Sequence, residues 1–120
     1  MKLIATDLDG TLLNEKGEVS KENAQAIRKA MALGIKFVVA TGRSYDAANK
    51  PLQAVGLICP IICLNGVNTY SVDKNMLRNA PMDIIISRKI QTLCQKEDIY
   101  FELFTNNGVY STRENILWKL

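Results

Sequence analysis

Two aspartates separated by one leucine follow a short apolar segment near the start of the chain. The segment LIAT, Leu3–Thr6, runs directly into DLDGT at positions 7–11. A carboxylate held rigidly at the end of a strand is a competent nucleophile towards phosphorus and would form an aspartyl phosphate. A second acid two residues further on can protonate the leaving group and later activate water. We therefore assign Asp7 as the nucleophile and Asp9 as the acid/base.

This chemistry calls for a hard cation, because a carboxylate and a phosphate repel each other. Proteins hold Mg²⁺ through carboxylates, carbonyl oxygens and waters. The predicted ligands are the carboxylate of Asp7 and the backbone carbonyl of Asp9. Gly10 would let the chain turn sharply, so that its amide and that of Leu8 face phosphate oxygens. Thr11 would tie the turn together through its hydroxyl.

A structural alternative for the same segment is a hairpin with Asp9 and Gly10 as its two-residue turn, since Asp-Gly is a strong hairpin signal. The residues on either side do not alternate between apolar and polar, and LLNEKGE is a poor return strand. The pattern therefore favours a strand that ends in a functional loop.

Three continuous apolar runs predict the strands of a sheet, at 2–6, 35–40 and 60–64. Helices are expected between them, one beginning after Ser20 as N-cap and the other covering about 45–55. Buried strands that alternate with helices are typical of a parallel, Rossmann-like sheet with right-handed crossovers. The predicted class is therefore α/β.

Small polar residues follow the second and third predicted strands. Ligands of such sheets bind beyond the carboxyl ends of the strands. The Thr41 hydroxyl is placed for a phosphoryl oxygen, and Gly42 permits close backbone approach. Asn65 and Gly66 end the third strand at the same rim, so we expect all these groups to gather at one site.

The pattern changes after the third strand. Segment 67–80 predicts a small hairpin, 84–96 an amphipathic helix, and 100–112 a second hairpin with aromatic residues. From about Pro81 onward we expect a separate α+β unit.

Composition excludes several classes of function. Histidine is absent, which excludes Ser-His-Asp and Cys-His catalysis within the chain and the commonest zinc ligand sets. The net charge of +3 is spread along the chain, so no nucleic-acid partner is expected. The longest apolar stretch, 55–64, is too short to span a bilayer. Three cysteines without a signal peptide favour the reducing cytoplasm.

The segments DLDGTLL and VVATGRS resemble motifs one and two of the haloacid dehalogenase-like (HAD) superfamily of phosphohydrolases. The order of segments is similar to that of its Cof-type, type-II-capped branch over essentially the whole chain. The resemblance implies a Mg²⁺-dependent phosphatase of small phosphorylated metabolites such as sugar phosphates. It implies an incomplete core at 1–80, whose squiggle and flap are 10–19, and the beginning of the cap at 81–120. It also implies that Arg43, Asn65 and Gly66 line the substrate pocket.

Two further motifs of that family, a lysine and a GDxxND-like acidic stretch, do not occur in the sequence. We therefore expect an N-terminal portion that leaves an apolar sheet edge uncovered, tends to aggregate and turns over poorly by itself. Two alternatives remain open. One is a phosphomutase of the same superfamily, and the other is a degenerate domain that keeps the fold without catalysis.

Overall fold

A computed structural model of the chain describes residues 2–105 and 108–111. It divides into two compact units, Met1–Pro81 and Met82–Leu120. The strands are β1 (Leu3–Thr6), β2 (Lys36–Ala40), β3 (Ile61–Cys63), β4 (Asn68–Tyr70), β5 (Met76–Asn79), β6 (Glu102–Thr105) and β7 (Gly108–Ser111), and the helices are α1 (Lys21–Ala32), α2 (Tyr45–Ala54) and α3 (Ile84–Lys96).

The first unit is built on a five-stranded sheet in the order β1-β2-β3-β4-β5. β1, β2 and β3 are parallel, with Thr6 opposite Val39 and Ala40 opposite Ile62. β4 and β5 continue the same sheet in antiparallel fashion. The predicted α/β class is confirmed, and the predicted hairpin extends the sheet. The carboxyl ends of the three parallel strands therefore lie at one edge.

The helices that join the parallel strands begin where the sequence predicts. The Ser20 hydroxyl accepts a hydrogen bond from the Asn23 amide at 3.1 Å and so caps α1. α2 contains Pro51, which has no N–H to donate to the carbonyl of Ala47 four residues earlier. One carbonyl in the first turn of α2 is thus left without its helical donor.

The core of the first unit lies between the sheet and these helices. It includes the buried side chain of Leu8, which separates the two aspartates, and that of Val39 in β2. Its members are Leu8, Leu12, Leu13, Val19, Ala24, Ile27, Phe37, Val39, Ala48, Leu52, Leu57, Cys59, Ile61 and Cys63. Because Leu8 inside the Asp7–Gly10 segment and Leu12 shortly after it belong to this core, the segment is anchored from within.

β1 departs from the sequence prediction, which treated it as a buried strand. Leu3 is 60% exposed and Ile4 is 42% exposed. The reason is topological, since β2 is the only strand paired with β1 in the described part of the chain. The apolar edge expected from the sequence is therefore present, and aggregation through it stays a prediction.

The second unit contains α3 and the antiparallel pair β6 and β7, in which Leu103 lies opposite Tyr110. Both elements agree with the predicted helix and hairpin. Residues 106–107 of the predicted turn and the segment 112–120 of the expected cap lie outside the described residues. Within 82–105 and 108–111 no residue is buried, so the apolar side of α3 is exposed. No helix found in the described residues has the length and apolarity needed to cross a membrane.

Candidate functional site

The loop after β1 holds the first aspartate by its own backbone. Asp7 is exposed, and its Oδ1 accepts a hydrogen bond from the Leu8 amide at 2.7 Å. The Leu13 amide donates to the Leu8 carbonyl at 2.9 Å, which closes a wide turn over Leu8–Leu12. The buried side chains of Leu8 and Leu12 fix this turn to the core. The carboxylate of Asp7 is therefore presented on a rigid loop.

Asp9 and Gly10 form the middle of this turn. Asp9 has φ −72° and ψ 124°, and Gly10 has φ 71° and ψ 4°. These angles are those of a type II β-turn, in which the third position needs a positive φ and so favours glycine. The hairpin alternative is wrong, because no two strands paired with each other flank Asp9 and Gly10 in the described residues. The antiparallel pairing of this described segment is a single bridge between Leu13 and Val19.

The loop after β2 is held between its neighbours. Thr41 is buried, and its hydroxyl oxygen accepts a hydrogen bond from the Arg43 amide at 3.2 Å. The Thr41 amide donates to the Ile62 carbonyl at 2.9 Å. A hydroxyl that accepts in this way still has its own proton to donate. Thr41 can therefore donate to a phosphoryl oxygen without giving up its place in the loop.

The loop after β3 has an unusual backbone. Leu64, Asn65 and Gly66 have φ values of 49°, 56° and 93°. Leucine rarely adopts this left-handed region, and such strain persists only where the surroundings impose it. The Leu64 amide donates to the Arg43 carbonyl at 3.0 Å, and the Asn65 amide donates to the Thr41 carbonyl at 3.2 Å. These two hydrogen bonds join the loops after β2 and β3.

Arg43 joins the loop after β2 to the loop after β1. Its Nε donates to Asp9 Oδ2 at 2.8 Å, and its Nη2 donates to Asp9 Oδ1 at 2.6 Å. This hydrogen bonding lowers the pKa of Asp9 below its usual value and raises the pKa of Arg43. The negative charge of Asp7 contributes to the raised pKa of Arg43 as a smaller cause. The guanidinium therefore lies within electrostatic reach of both aspartates.

The structure brings several of the predicted site residues into direct contact. Asp9 is hydrogen-bonded to Arg43, the backbones of Thr41 and Asn65 are hydrogen-bonded, and Gly42 lies beside the Asn65 side chain. Two predicted contacts differ. The Leu8 amide donates to Asp7 instead of facing outward, because the Asp7 side chain caps the turn. The Thr11 hydroxyl is exposed and makes no hydrogen bond within the turn among the described residues.

The contact that sequence reasoning missed is the pair of Arg43 with Asp9. The resemblance implied that Arg43 lines a substrate pocket, whereas in the structure it is bound to the predicted acid/base. One signal was available, since both residues follow neighbouring parallel strands by only three positions. Opposite charges placed in this way at one rim are within reach of each other.

The residues that could hold a metal are few. No group of three or more Asp, Glu, Cys and His side chains converges anywhere in the described ranges. Asp7 offers an exposed carboxylate, and Asp9 offers its backbone carbonyl while its carboxylate is bound to Arg43. Mg²⁺ accepts one or two carboxylate ligands when waters and a substrate phosphate complete its shell. These hard oxygen donors fit Mg²⁺ as part of such a shell.

The sequence profile of haloacid dehalogenase-like hydrolases matches residues 4–119. The chain belongs to this family. The predicted resemblance is confirmed, including the Cof-type branch to which the related phosphatases belong. The assignment of individual site residues remains a prediction, because membership alone does not assign roles to atoms.

Two HAD relatives from Bacillus subtilis (strain 168) are named phosphatases. "Phosphatase YwpJ" is 36% identical over 111 residues, which cover 92% of this chain and 39% of YwpJ. "5-amino-6-(5-phospho-D-ribitylamino)uracil phosphatase YwtE" is 34% identical over 92% of this chain and 38% of YwtE. The chain therefore spans about two-fifths of the length of these relatives.

A solved structure of a HAD-like hydrolase from B. subtilis superposes on the chain with a TM-score of 0.89. The two are 34% identical, and the match covers 98% of this chain and 41% of the solved one. This likeness to a solved structure agrees with the HAD-like fold of the strands and helices.

Proposed function

We propose that this chain carries the phosphoryl-accepting part of a phosphatase active site. Asp7 would take a phosphoryl group from a small phosphorylated metabolite and pass it to water. The main support is the bidentate contact between Arg43 and Asp9, because it joins the loops after two parallel strands beside the exposed carboxylate of Asp7. Membership of a hydrolase family whose relatives are named phosphatases supports the same reaction.

The proposed reaction has two displacements at phosphorus. An oxygen of Asp7 attacks phosphorus, the bond from phosphorus to the leaving oxygen breaks, and Asp9 gives a proton to that oxygen. Asp9 then takes a proton from a water that attacks the aspartyl phosphate. The bond from phosphorus to Asp7 breaks, inorganic phosphate leaves, and both side chains return to their starting states.

The two halves of this reaction need different forms of Asp9. The contact with Arg43 lowers the pKa of Asp9, so the carboxylate is ionised at neutral pH and suited to the base step. The acid step needs a proton on Asp9. A phosphoryl group placed beside the carboxylate would supply negative charge, which raises the pKa of an acid and favours that proton.

Mg²⁺ would be held by the Asp7 carboxylate and the Asp9 backbone carbonyl. When bound, it supplies positive charge that offsets the repulsion between the nucleophile and the phosphoryl oxygens. The chain contributes the rigid turn over Leu8–Leu12, which fixes the positions of both ligands.

The phosphoryl oxygens would be bound by donors from two loops. The Thr41 hydroxyl and the Gly10 amide are the donors we assign, and Gly42 lets the backbone come close. Asn65 and Gly66 would line the rim next to Gly42. This part of the proposal rests on the hydrogen bonds that join the loops after β2 and β3.

We propose that the first unit is the HAD-like core and that the second unit belongs to a type II cap. Its α3 helix and β6–β7 hairpin have the α+β composition expected of such a cap. We also propose a cytoplasmic location, which is supported by free thiols at Cys59, Cys63 and Cys94.

A second candidate is a domain that binds phosphorylated ligands without turnover. It is favoured by one observation, which is that the described residues contain no third acid beside Asp7 and Asp9. Measuring binding and turnover in the same preparation separates the two candidates.

The deciding experiment measures release of inorganic phosphate from sugar phosphates, a ribityl phosphate and pyridoxal phosphate, with and without Mg²⁺. It is run on this chain and on the complete product of its gene. We expect Mg²⁺-dependent release by the complete product, and a loss of at least about 100-fold in Asp7→Asn because the nucleophile is removed.

The matched control is Asp73→Asn, since Asp73 is an exposed aspartate in the segment between β4 and β5. It should keep the rate of the unmodified protein. Retention of most of the rate by Asp7→Asn would refute Asp7 as nucleophile. Binding of phosphorylated ligands without release of phosphate from any of them would favour the second candidate.

A further inference from the structure

We infer that Arg43 is a positioning residue that orients the Asp9 carboxylate and acts on the reaction through Asp9. This inference rests on the proposed function and adds to it, because the family resemblance implies instead that Arg43 lines the substrate pocket. Arg43 makes hydrogen bonds to Asp9 on one side and to Ala47 in helix α2 on the other.

The contact of Arg43 with Asp9 fixes the orientation of the Asp9 carboxylate as well as its distance from the guanidinium. Two different nitrogens of one planar guanidinium donate to two different oxygens of one carboxylate, at 2.8 Å and 2.6 Å. Paired parallel hydrogen bonds of this kind define the plane of the carboxylate. A lysine ammonium would supply the same charge as a point donor without defining that plane.

The third guanidinium nitrogen is anchored to helix α2. Arg43 Nη1 donates to the Ala47 carbonyl at 3.3 Å. In an unbroken helix this carbonyl would accept from the amide of residue 51, but Pro51 has no N–H. The proline therefore leaves an acceptor free, and the guanidinium bonds to it.

The backbone of Arg43 is held as well. Its amide donates to the Thr41 hydroxyl at 3.2 Å, and its carbonyl accepts from the Leu64 amide at 3.0 Å. The side chain of Arg43 is 32% exposed, whereas that of Asp9 is 59% exposed. Arg43 is thus the fixed partner, and Asp9 is the side chain that gains a defined position from the contact.

These contacts favour positioning over direct binding of substrate. All three guanidinium nitrogens already donate to protein oxygens, two of them to Asp9. A simple surface ion pair would also explain the charges, but it would not require the planar geometry or the anchor on Ala47.

The first test measures the orientation of Asp9 in this chain, without any reaction. Three-bond NMR couplings report the χ1 rotamer of Asp9 in the unmodified chain, Arg43→Ala, Arg43→Lys and Pro51→Ala. We expect one rotamer in the unmodified chain, rotamer averaging in Arg43→Ala and Arg43→Lys, and partial averaging in Pro51→Ala. A single unchanged rotamer in Arg43→Ala would overturn the inference.

The second test measures turnover by the complete gene product. We expect Arg43→Ala to lower kcat by about 10- to 100-fold while KM changes less than about twofold, because a misplaced acid slows chemistry more than binding. Added guanidinium ion should restore part of the kcat that Arg43→Ala loses. Replacement by lysine, in Arg43→Lys, should not restore kcat. Arg78→Ala is the control, since Arg78 is an exposed arginine on β5, and it should leave kcat unchanged.

Each remaining outcome has a defined meaning. A raised KM with kcat retained would overturn the inference in favour of substrate binding by Arg43. Loss of the folded state without rescue by guanidinium would overturn it in favour of a structural ion pair. If the unmodified protein releases no phosphate at all, the proposed function fails, while the rotamers of Asp9 still decide whether Arg43 positions it.

Discussion

The backbone amide of Asn65 donates a hydrogen bond to the carbonyl oxygen of Thr41 across 3.2 Å. The side chain of Asn65 lies beside Gly42, where an added Cβ would come within 3.2 Å of its Oδ1. This distance is tighter than ordinary van der Waals contact. The loops after β2 and β3 are therefore packed against each other at Gly42, where the lack of a side chain leaves room for Asn65.

Substitution of Gly42 by alanine tests this packing. Gly42→Ala should lower the free energy of unfolding by about 1 kcal/mol, because the Asn65 side chain must move. The cost should fall below about 0.5 kcal/mol in an Asn65→Gly background, since glycine suits the left-handed φ of 56° and removes the crowded amide. Urea denaturation of the unmodified chain, the two single variants and the double variant measures the coupling between the two positions, and an equal cost in both backgrounds would contradict it.

The side chain between the two aspartates should carry much of the stability of the loop. Leu8 is fully buried, so Leu8→Ala should lower the free energy of unfolding by about 2–4 kcal/mol through lost burial and a residual cavity. Leu33→Ala is the matched control, because Leu33 is 82% exposed and should cost less than about 0.5 kcal/mol. If urea denaturation gave similar losses in the free energy of unfolding for Leu8→Ala and Leu33→Ala, the loop would not be anchored by Leu8.

The contact with Arg43 predicts an acid titration of defined sign. The pKa of Asp9 lies below its usual value of 3.8, so the ionised pair stabilises the folded chain above about pH 4. This stabilisation is lost as the pH falls through the lowered pKa. Because Asp9 is 59% exposed, we expect less than about 1 kcal/mol, and less still in high salt.

Carboxyl-carbon NMR measures this titration directly. Arg43→Ala should return the pKa of Asp9 towards its usual value, while Arg78→Ala should leave it lowered. An Asp9 carboxyl that titrates identically in the unmodified chain and in Arg43→Ala would show that the contact does not persist in solution.

The cysteines should differ in reactivity. Burial raises the pKa of Cys59 and of Cys63 to about 11, whereas Cys94 is only partly buried. At pH 8, iodoacetamide should therefore modify Cys94 at least about 10-fold faster than the two buried thiols, since only the thiolate reacts.

The free energy of unfolding should also decrease as the pH rises from about 9 towards 11, because the thiols of the unfolded chain ionise first.

Mass spectrometry of the alkylated peptides follows the three sites separately. In urea the three rates should become similar, because unfolding exposes every thiol. Modification of Cys63 as fast as Cys94 in the folded chain would mean that β3 opens readily.

The sequence by itself determined the strands, the helices and their order. Ser20 marks the start of α1, and continuous apolar runs mark β1, β2 and β3 to within one or two residues. These signals are local, because capping and the period of apolar residues depend on neighbours within a few positions. The gathering of strand ends at one rim followed from the parallel topology that this order implies.

Only the tertiary structure decided how the side chains at that rim pair. Arg43 and Asp9 are 34 positions apart, and their bidentate contact depends on the rotamers of both and on the carbonyl of Ala47 that Pro51 leaves free. The exposure of β1 was likewise set by which strands lie beside it, although its residues are those of a buried strand. Contacts between residues distant in sequence arise when the sheet brings loops together. The local pattern of residues therefore does not predict these contacts directly.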